Sequence, residues 1–256
     1  MTFINRTLIE QELERLQNDK NFQDIVNNIK VGNFERDQSI KDYKDRVDYT
    51  MELRKFTYNP AVLNVIFADQ ELKTNFFRTF GYKGKVNFTI YPKCWLRDLP
   101  LLDIGDNVYL GDNILLGTNQ LTPDQKSLLV GKIQIGDNCI FNQGCSVAGK
   151  TTIGADGIIG FEVAIGFRNT IGRGVKIGER STIGHGNKIG ENVSIGYHSK
   201  IGHFCVIEDG VKLNEMTEIP SYSLVTSEGI FDRRKKQNTV KSIVREMSIG
   251  SQAAAS

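Results

Sequence analysis

The sequence predicts a mainly β protein organised around a parallel solenoid, and three observations carry that prediction. From Ile135 to Leu213 every sixth residue is apolar: Ile135, Phe141, Val147, Ile153, Ile159, Ile165, Ile171, Ile177, Ile183, Ile189, Ile195, Ile201, Ile207 and Leu213. The residue after each is Gly at ten of the fourteen steps, whereas 25 Gly in 256 residues would place about one or two there by chance. Three earlier pairs, Ile104-Gly105, Leu110-Gly111 and Leu116-Gly117, keep the same hexad step. A short fixed period marks units that bury their apolar side chains only by stacking on their neighbours.

Taken in order, residues 1–81 are patterned differently and predict a helical domain. Leu8, Leu13 and Leu16, then Ile40, Tyr43, Val47 and Met51, recur at three- to five-residue intervals with charged residues between them, as amphipathic helices require. Asn59-Pro60 supplies an N-cap and first residue for a third helix carrying Val62, Ile66 and Phe67, with Gly81 as its stop. Such helices are expected to cap the exposed apolar end of the solenoid, a substrate-binding or oligomerising role being the alternative.

Residues 82–226 are the expected solenoid, opening with irregular strand-like sequence around Val86, Phe88, Ile90 and Trp95. Its register breaks once. Leu116 to Ile135 is 19 residues, one hexad plus 13, and the surplus lies within 118–131, where TNQLTPDQKS reads as a polar loop thrown out from one corner. Specificity in a rigid prism is usually placed in such an insertion. Residues 227–256 hold the basic run Arg233-Arg234-Lys235-Lys236, followed by Lys241 and Arg245. Val240, Ile243, Val244 and Met247 recur at three to four there, predicting a C-terminal helix docked on the prism or on another subunit. The final SIGSQAAAS is expected to be a disordered tail.

Composition narrows the function classes. A formal charge of +2 gives no ground for nucleic acid or an anionic membrane as partner. The N-terminus MTFINRTLIEQELERL lacks a basic stretch followed by an apolar run, and no 18 residues are uninterruptedly apolar, so a soluble, cytoplasmic protein is expected. Cys94, Cys139, Cys145 and Cys205 have no zinc-type spacing, and the last three fall two residues before a repeat residue. They read as reduced thiols packed in the wall.

The hexads IGRGVK, IGERST, IGHGNK, IGENVS and IGYHSK resemble the hexapeptide-repeat acyltransferases, over roughly residues 82–226. That resemblance implies a left-handed β-helix with three hexads per coil, a hand that period alone would not reveal. GYKGKVNFTIYPKCWLRDLPLLDIGDNVYLGDNILLGTNQ is similar to the start of the solenoid in sugar and xenobiotic O-acetyltransferases, and EIPSYSLV to the family's exit before a C-terminal helix. The family implies an acyl-coenzyme A or acyl carrier protein thioester as co-substrate, no metal, and a homotrimer with active sites between neighbouring prisms. Its acceptor would be a hydroxyl or amine of a sugar, nucleotide sugar or other small molecule.

Acyl transfer of this kind usually uses a histidine base, and the chain has three histidines. His203, in HSKIGHFCVIEDG, matches the second His of the His-x-Ile-Ala/Gly-His-x-Cys segment of lipid A and nucleotide-amino-sugar acyltransferases, whose second His is the base. The resemblance therefore carries the base role to His203. His185 lies 18 residues earlier, which in uninterrupted coils stacks the two about 4.8 Å apart, with His198 near the next corner. Where the sugar acetyltransferases place their base, this chain reads Thr118-Asn119-Gln120, and glutamine cannot accept a proton at neutral pH. Those three remain candidate substrate contacts, and Glu208 or Asp209 candidate partners for an imidazole. The family's Gly-x-Pro-Ala beside the coenzyme A arm is replaced by TSEGIFDRRKK. Arg233, Arg234, Lys235 and Lys236 are the candidate contacts for coenzyme A phosphates or an acidic carrier protein, a solvated face being the other reading.

Three other functions are known for solenoids of this kind. A γ-type carbonic anhydrase needs two histidines five apart, as His198 and His203 are, and a third 36 residues before the first, where Glu162 stands. Ice binding needs an exposed Thr column, which Thr151, Thr152, Thr170 and Thr182 do not form. A non-catalytic scaffold is the stronger rival.

Overall fold

The computed structural model describes residues 5–234. Lys235, Lys236, Lys241, Arg245 and the helix expected around them lie outside the described residues.

Five helices precede the coils: α1 (Arg6–Asn18), α2 (Lys20–Asn28), α3 (Lys41–Thr57), α4 (Pro60–Ala68) and α5 (Gln70–Thr79). Side chains of Asn5, Asp19, Asn59 and Asp69 accept the first free amides of α1, α2, α4 and α5, the favoured N-cap chemistry. The sequence pattern does not separate α2 and merges α4 with α5, because Asp69 both ends the one and caps the other. It also misplaces two faces. Leu8 is 63% exposed, while α1 buries Ile9 with Leu13 and Leu16. Ile40 and Met51 are exposed, and α3 instead buries Asp45, Arg46, Tyr49, Leu53 and Phe56. Two charged residues occupy that inner face because both are paired: Asp45 with Lys41 and Asn28, Arg46 with Asp98. Apolar periodicity therefore points away from the face that is buried.

Helix α5 sits on the first coil. Phe77 meets Phe88 edge-on with ring centroids 5.2 Å apart, and Lys73 Nζ donates to the Phe88 carbonyl at 2.8 Å. The Tyr82 hydroxyl donates to the Ile104 carbonyl at 3.0 Å and accepts from the Ile104 amide at 3.1 Å. These contacts occupy backbone groups that would otherwise be an open sheet edge.

The solenoid is a left-handed parallel β-helix with three faces. Seven parallel strands form the first, from Phe88–Ile90 to Lys212–Leu213, and seven the second, from Trp95–Leu96 to Glu218–Ile219. The third runs from Leu102–Ile104 to Ser223–Thr226, with Gly229–Asp232 folding back antiparallel to close its edge. In the uninterrupted coils, partners are 18 residues apart, as in Ile183↔Ile201 and Ile189↔Ile207, so the repeat residues stack as a dry core.

The hexad glycine answers to close packing between coils. A Cβ on Gly184 would lie 2.6 Å from the Gly202 carbonyl oxygen of the next coil. Left-handed backbone falls two residues later, at positions such as Asn138, Asn192, His198 and Phe204, with φ between 54° and 58°. Asparagine tolerates that region, whereas a bulky residue such as Phe204 is uncommon there.

The insertion is a β-hairpin, which corrects the expected loop. Asn119–Leu121 pairs antiparallel with Ser127–Val130, and the latter pairs with Gly32–Glu35 between α2 and α3. Thr122 and Asp124 side chains tie the turn by accepting from Ser127 and Lys126 amides. The polar segment thus fastens the helical domain to the prism.

Candidate active site

The corner between the second and third faces gathers most of the predicted residues. Asp98, Thr118, His185 and His203 each follow a repeat Leu or Ile by two, so they form one column down that edge. His185 and His203 stack with ring centroids 5.0 Å apart and planes 8° from parallel, as the 18-residue spacing predicts.

Hydrogen bonds fix how these rings are protonated. His203 Nδ1 accepts the His185 amide at 2.9 Å, and His185 Nδ1 accepts the Phe167 amide at 2.8 Å. A ring whose Nδ1 accepts carries its proton on Nε2 when neutral, so each presents an N–H outward rather than a free base. Burial, reinforced by the neighbouring His203, lowers the pKa of His185 and so favours its neutral form.

Behind the imidazoles the corner is stiffened by a buried polar ladder. Asn169 Oδ1 accepts the Asn187 amide at 2.9 Å, and Asn187 Oδ1 accepts the Cys205 amide at 2.7 Å. The amides of residues 202 to 205 donate to Ile219 O, Ser221 Oγ, His185 O and Asn187 Oδ1 in turn. With these four amides used inside the prism, the donors this turn leaves for an oxyanion are side-chain N–H groups. The thiols offer no nucleophile. All four cysteines are buried and free, and burial raises Cys94 and Cys145 to about 11.

Part of the basic run meets this corner. Arg233 Nη1 donates to the Phe204 carbonyl at 2.9 Å, Phe204 stacks on Tyr222 at 5.3 Å, and Arg234 lies 5.2 Å over Tyr222 while pairing with Asp232. His198 is apart, exposed at the preceding corner with its ring 5.5 Å from Tyr197. Asp209 does not orient an imidazole; its Oδ1 accepts the Glu191 amide at 2.8 Å. Thr118, Asn119 and Gln120 lie where the hairpin leaves the column, three coils from His185, a separation of about 14 Å at strand spacing. Thr118 is buried and donates to Asp98, Asn119 is half-buried and Gln120 exposed. Among the described residues no group of three His, Cys, Asp or Glu is placed to hold a metal ion, and no helix is long and apolar enough to cross a membrane.

Sequence reasoning missed Asp98 and the Arg46 that pairs with it, because nothing in their local sequence marks them.

No family model matches the chain, and no curated protein does. Among solved structures it is similar to a UDP-N-acetylglucosamine acyltransferase from Bacteroides fragilis, at 14% identity over 59% of this chain and 60% of that one, TM-score 0.34. It is similar to a mutant perosamine N-acetyltransferase from Caulobacter crescentus in complex with CoA and GDP-perosamine, at 18% identity over 68% and 62%, TM-score 0.24. A third is the N-acyltransferase AntD from Bacillus cereus with dTDP and 3-hydroxybutyryl-CoA, at 15% over 72% and 98%, TM-score 0.27. The chain spans about 60% of the length of the first two. These neighbours are of the kind the hexads resemble, and at such identities the likeness concerns the fold alone.

Proposed function

We propose that this protein is an acyltransferase that moves an acyl group from coenzyme A or an acyl carrier protein to a hydroxyl or amine of a small acceptor such as a sugar or nucleotide sugar. The stacked pair His185 and His203 is the observation that carries the reading. It sets two titratable rings at the solvent edge of a rigid corner, in the segment that resembles the family's base.

The roles divide between the rings. His185, whose charged form burial disfavours, donates Nε2–H to the thioester oxygen as negative charge develops there. His203 accepts the acceptor's proton as general base. For that, its ring turns by half a revolution about Cβ–Cγ, releasing the His185 amide at a cost of about 1 kcal/mol. The nucleophile then attacks the carbonyl carbon, the C–S bond breaks, and the proton passes from His203 to the departing thiolate. Arg233 and Arg234 beside Phe204, with Lys235 and Lys236 following in sequence, are suited to phosphates of the donor.

Assembly as a homotrimer is part of this proposal. It is supported by the outward row Tyr109, Ile140 and Ile158 on the first face, stacked in register and each more than a third exposed, an apolar strip of the kind that marks an interface.

A thiol-release assay with acetyl-coenzyme A and a panel of sugar, nucleotide-sugar and amine acceptors tests the reading. His203→Gln keeps an N–H donor but cannot take a proton, so it should lose about 10²- to 10⁴-fold in kcat. Full activity in that variant would refute the base role. Absence of turnover with every acceptor would favour a second reading, a non-catalytic scaffold, in which the imidazoles serve as corner acceptors much as Ser221 and Asp209 do.

A further inference from the structure

A cleft of about 200 Å³ lies between α3, the hairpin and the second-face strand Trp95–Leu96. Three arginines line it, Arg46, Arg54 and Arg97, together with Asn119 and the apolar Met51 and Leu128. Among the described residues no carboxylate lines it.

Arg46 is 95% buried, being 5% exposed. Its Nη2 donates to Asp98 Oδ2 at 2.5 Å, and the same oxygen accepts from Thr118. Nε and Nη1 of Arg46 are buried and have no partner among the described residues. A buried donor left unpaired is costly, and more so when charged, so such a group normally belongs to a site that something else completes.

The other two arginines are held on aromatic rings, not by acids. Arg97 lies 4.4 Å over Trp95 and Arg54 lies 5.0 Å over Tyr58, and neither makes an ion pair among the described residues. Burial lowers the pKa of Arg97 against the attraction of Asp98, and Arg54 and Arg46 add repulsion. Three guanidinium groups thus share one carboxylate. Their planar forks match the oxygens of a carboxylate or phosphate, and Met51 and Leu128 give the rest of the ligand a short apolar wall.

We infer that this cleft binds a small organic anion, its carboxylate or phosphate held by Arg46, Arg54 and Arg97 and its short aliphatic part against Met51 and Leu128. Its Asn119 and Arg97 belong to coils three and four strand spacings from His185, about 14 to 19 Å, and the inference stands whether or not the acyltransferase reading does.

Calorimetric titration of the full chain with inorganic phosphate and, separately, with succinate tests it. Saturable binding tighter than about 1 mM is expected for at least one, and the tighter anion shows whether the natural ligand carries a phosphate or a carboxylate. Arg97→Gln and Arg54→Gln remove charges with no ion-pair partner among the described residues, so both variants should fold, checked by circular dichroism, and should weaken binding roughly tenfold or more. Arg46→Gln reaches the buried donors directly but leaves Asp98 without its guanidinium, so the other two variants decide the outcome. Binding that is unchanged in both, or absent with both anions, overturns the inference.

Discussion

The coils that keep the hexad period and the two that break it solve different problems. From Ile135 to Leu213 each coil is covered by the next, corner amides are used within the prism, and chemistry is confined to side chains laid along edges at 18-residue intervals. In the first two coils the hairpin and α3 enclose a concave volume, and buried donors remain unpaired among the described residues. Regular stacking aligns groups along an open surface groove; a break in register makes a more enclosed pocket and needs a polar network to hold it.

The largest effect that could break this contrast is at Asp98. Asp98→Ala leaves Arg46 as a buried unpaired charge and removes the acceptor of Thr118. Losing one partner of a buried pair typically costs about 3–5 kcal/mol, so urea unfolding should show a loss of that order. A loss under about 1 kcal/mol would mean that the irregular end is not keyed by this network.

Next is the regular region itself. Gly184→Ala puts a methyl 2.6 Å from the Gly202 carbonyl oxygen, and the coils must part to admit it. Overpacking of this kind costs about 1–3 kcal/mol. A neutral outcome would show that the coils give locally, and the proposed rigidity of the histidine corner would fall with it.

The same contrast decides what could be read from the sequence. Ile183 and Ile201 announce their stacking because the wall repeats one local rule, and the histidine stack follows from counting. Arg46, Asp98 and Thr118 come from a helix and two different coils, and no local period links them. The apolar stripe Tyr43, Val47 and Met51 is legible, but periodicity assigns it to the wrong partner. Met51 is exposed and all three line the cleft, while a paired Asp45 and Arg46 turn inward. The hairpin looks like a loop in sequence because its pairing partner, Gly32–Glu35, is a short strand between helices with no turn signal to link it to residues 119–130.

A smaller effect tests the histidine corner through pH. The pKa of His185 is lowered in the folded chain, first by burial and then by His203. The unfolded chain therefore binds this proton more readily, so the contribution is fully present above the unfolded value of about 6.5 and is lost as pH falls through the lower folded value. His185→Gln should flatten the fall in thermal midpoint below about pH 6.5. An unaltered pH profile would show that neutrality of this ring is not what the fold protects.

The smallest effect belongs to the outward rows of the regular coils. Lys200 Nζ meets Glu218 Oε1 at 2.8 Å on the second face, and this hydrogen bond is the main cause of the lowered Glu218 pKa. Both side chains are about 70% exposed, so water and salt screen the attraction and ordering two long side chains offsets it. Because Glu218 is lowered, any contribution would be present above its unfolded value and lost as pH falls through the folded one. Glu218→Gln is expected to leave the urea midpoint at neutral pH unchanged within error, in low salt and in high. A salt-sensitive loss approaching that of Asp98→Ala would place structural weight on the outer rows, and the division between a stacked interior and a merely solvated surface would no longer describe the coils.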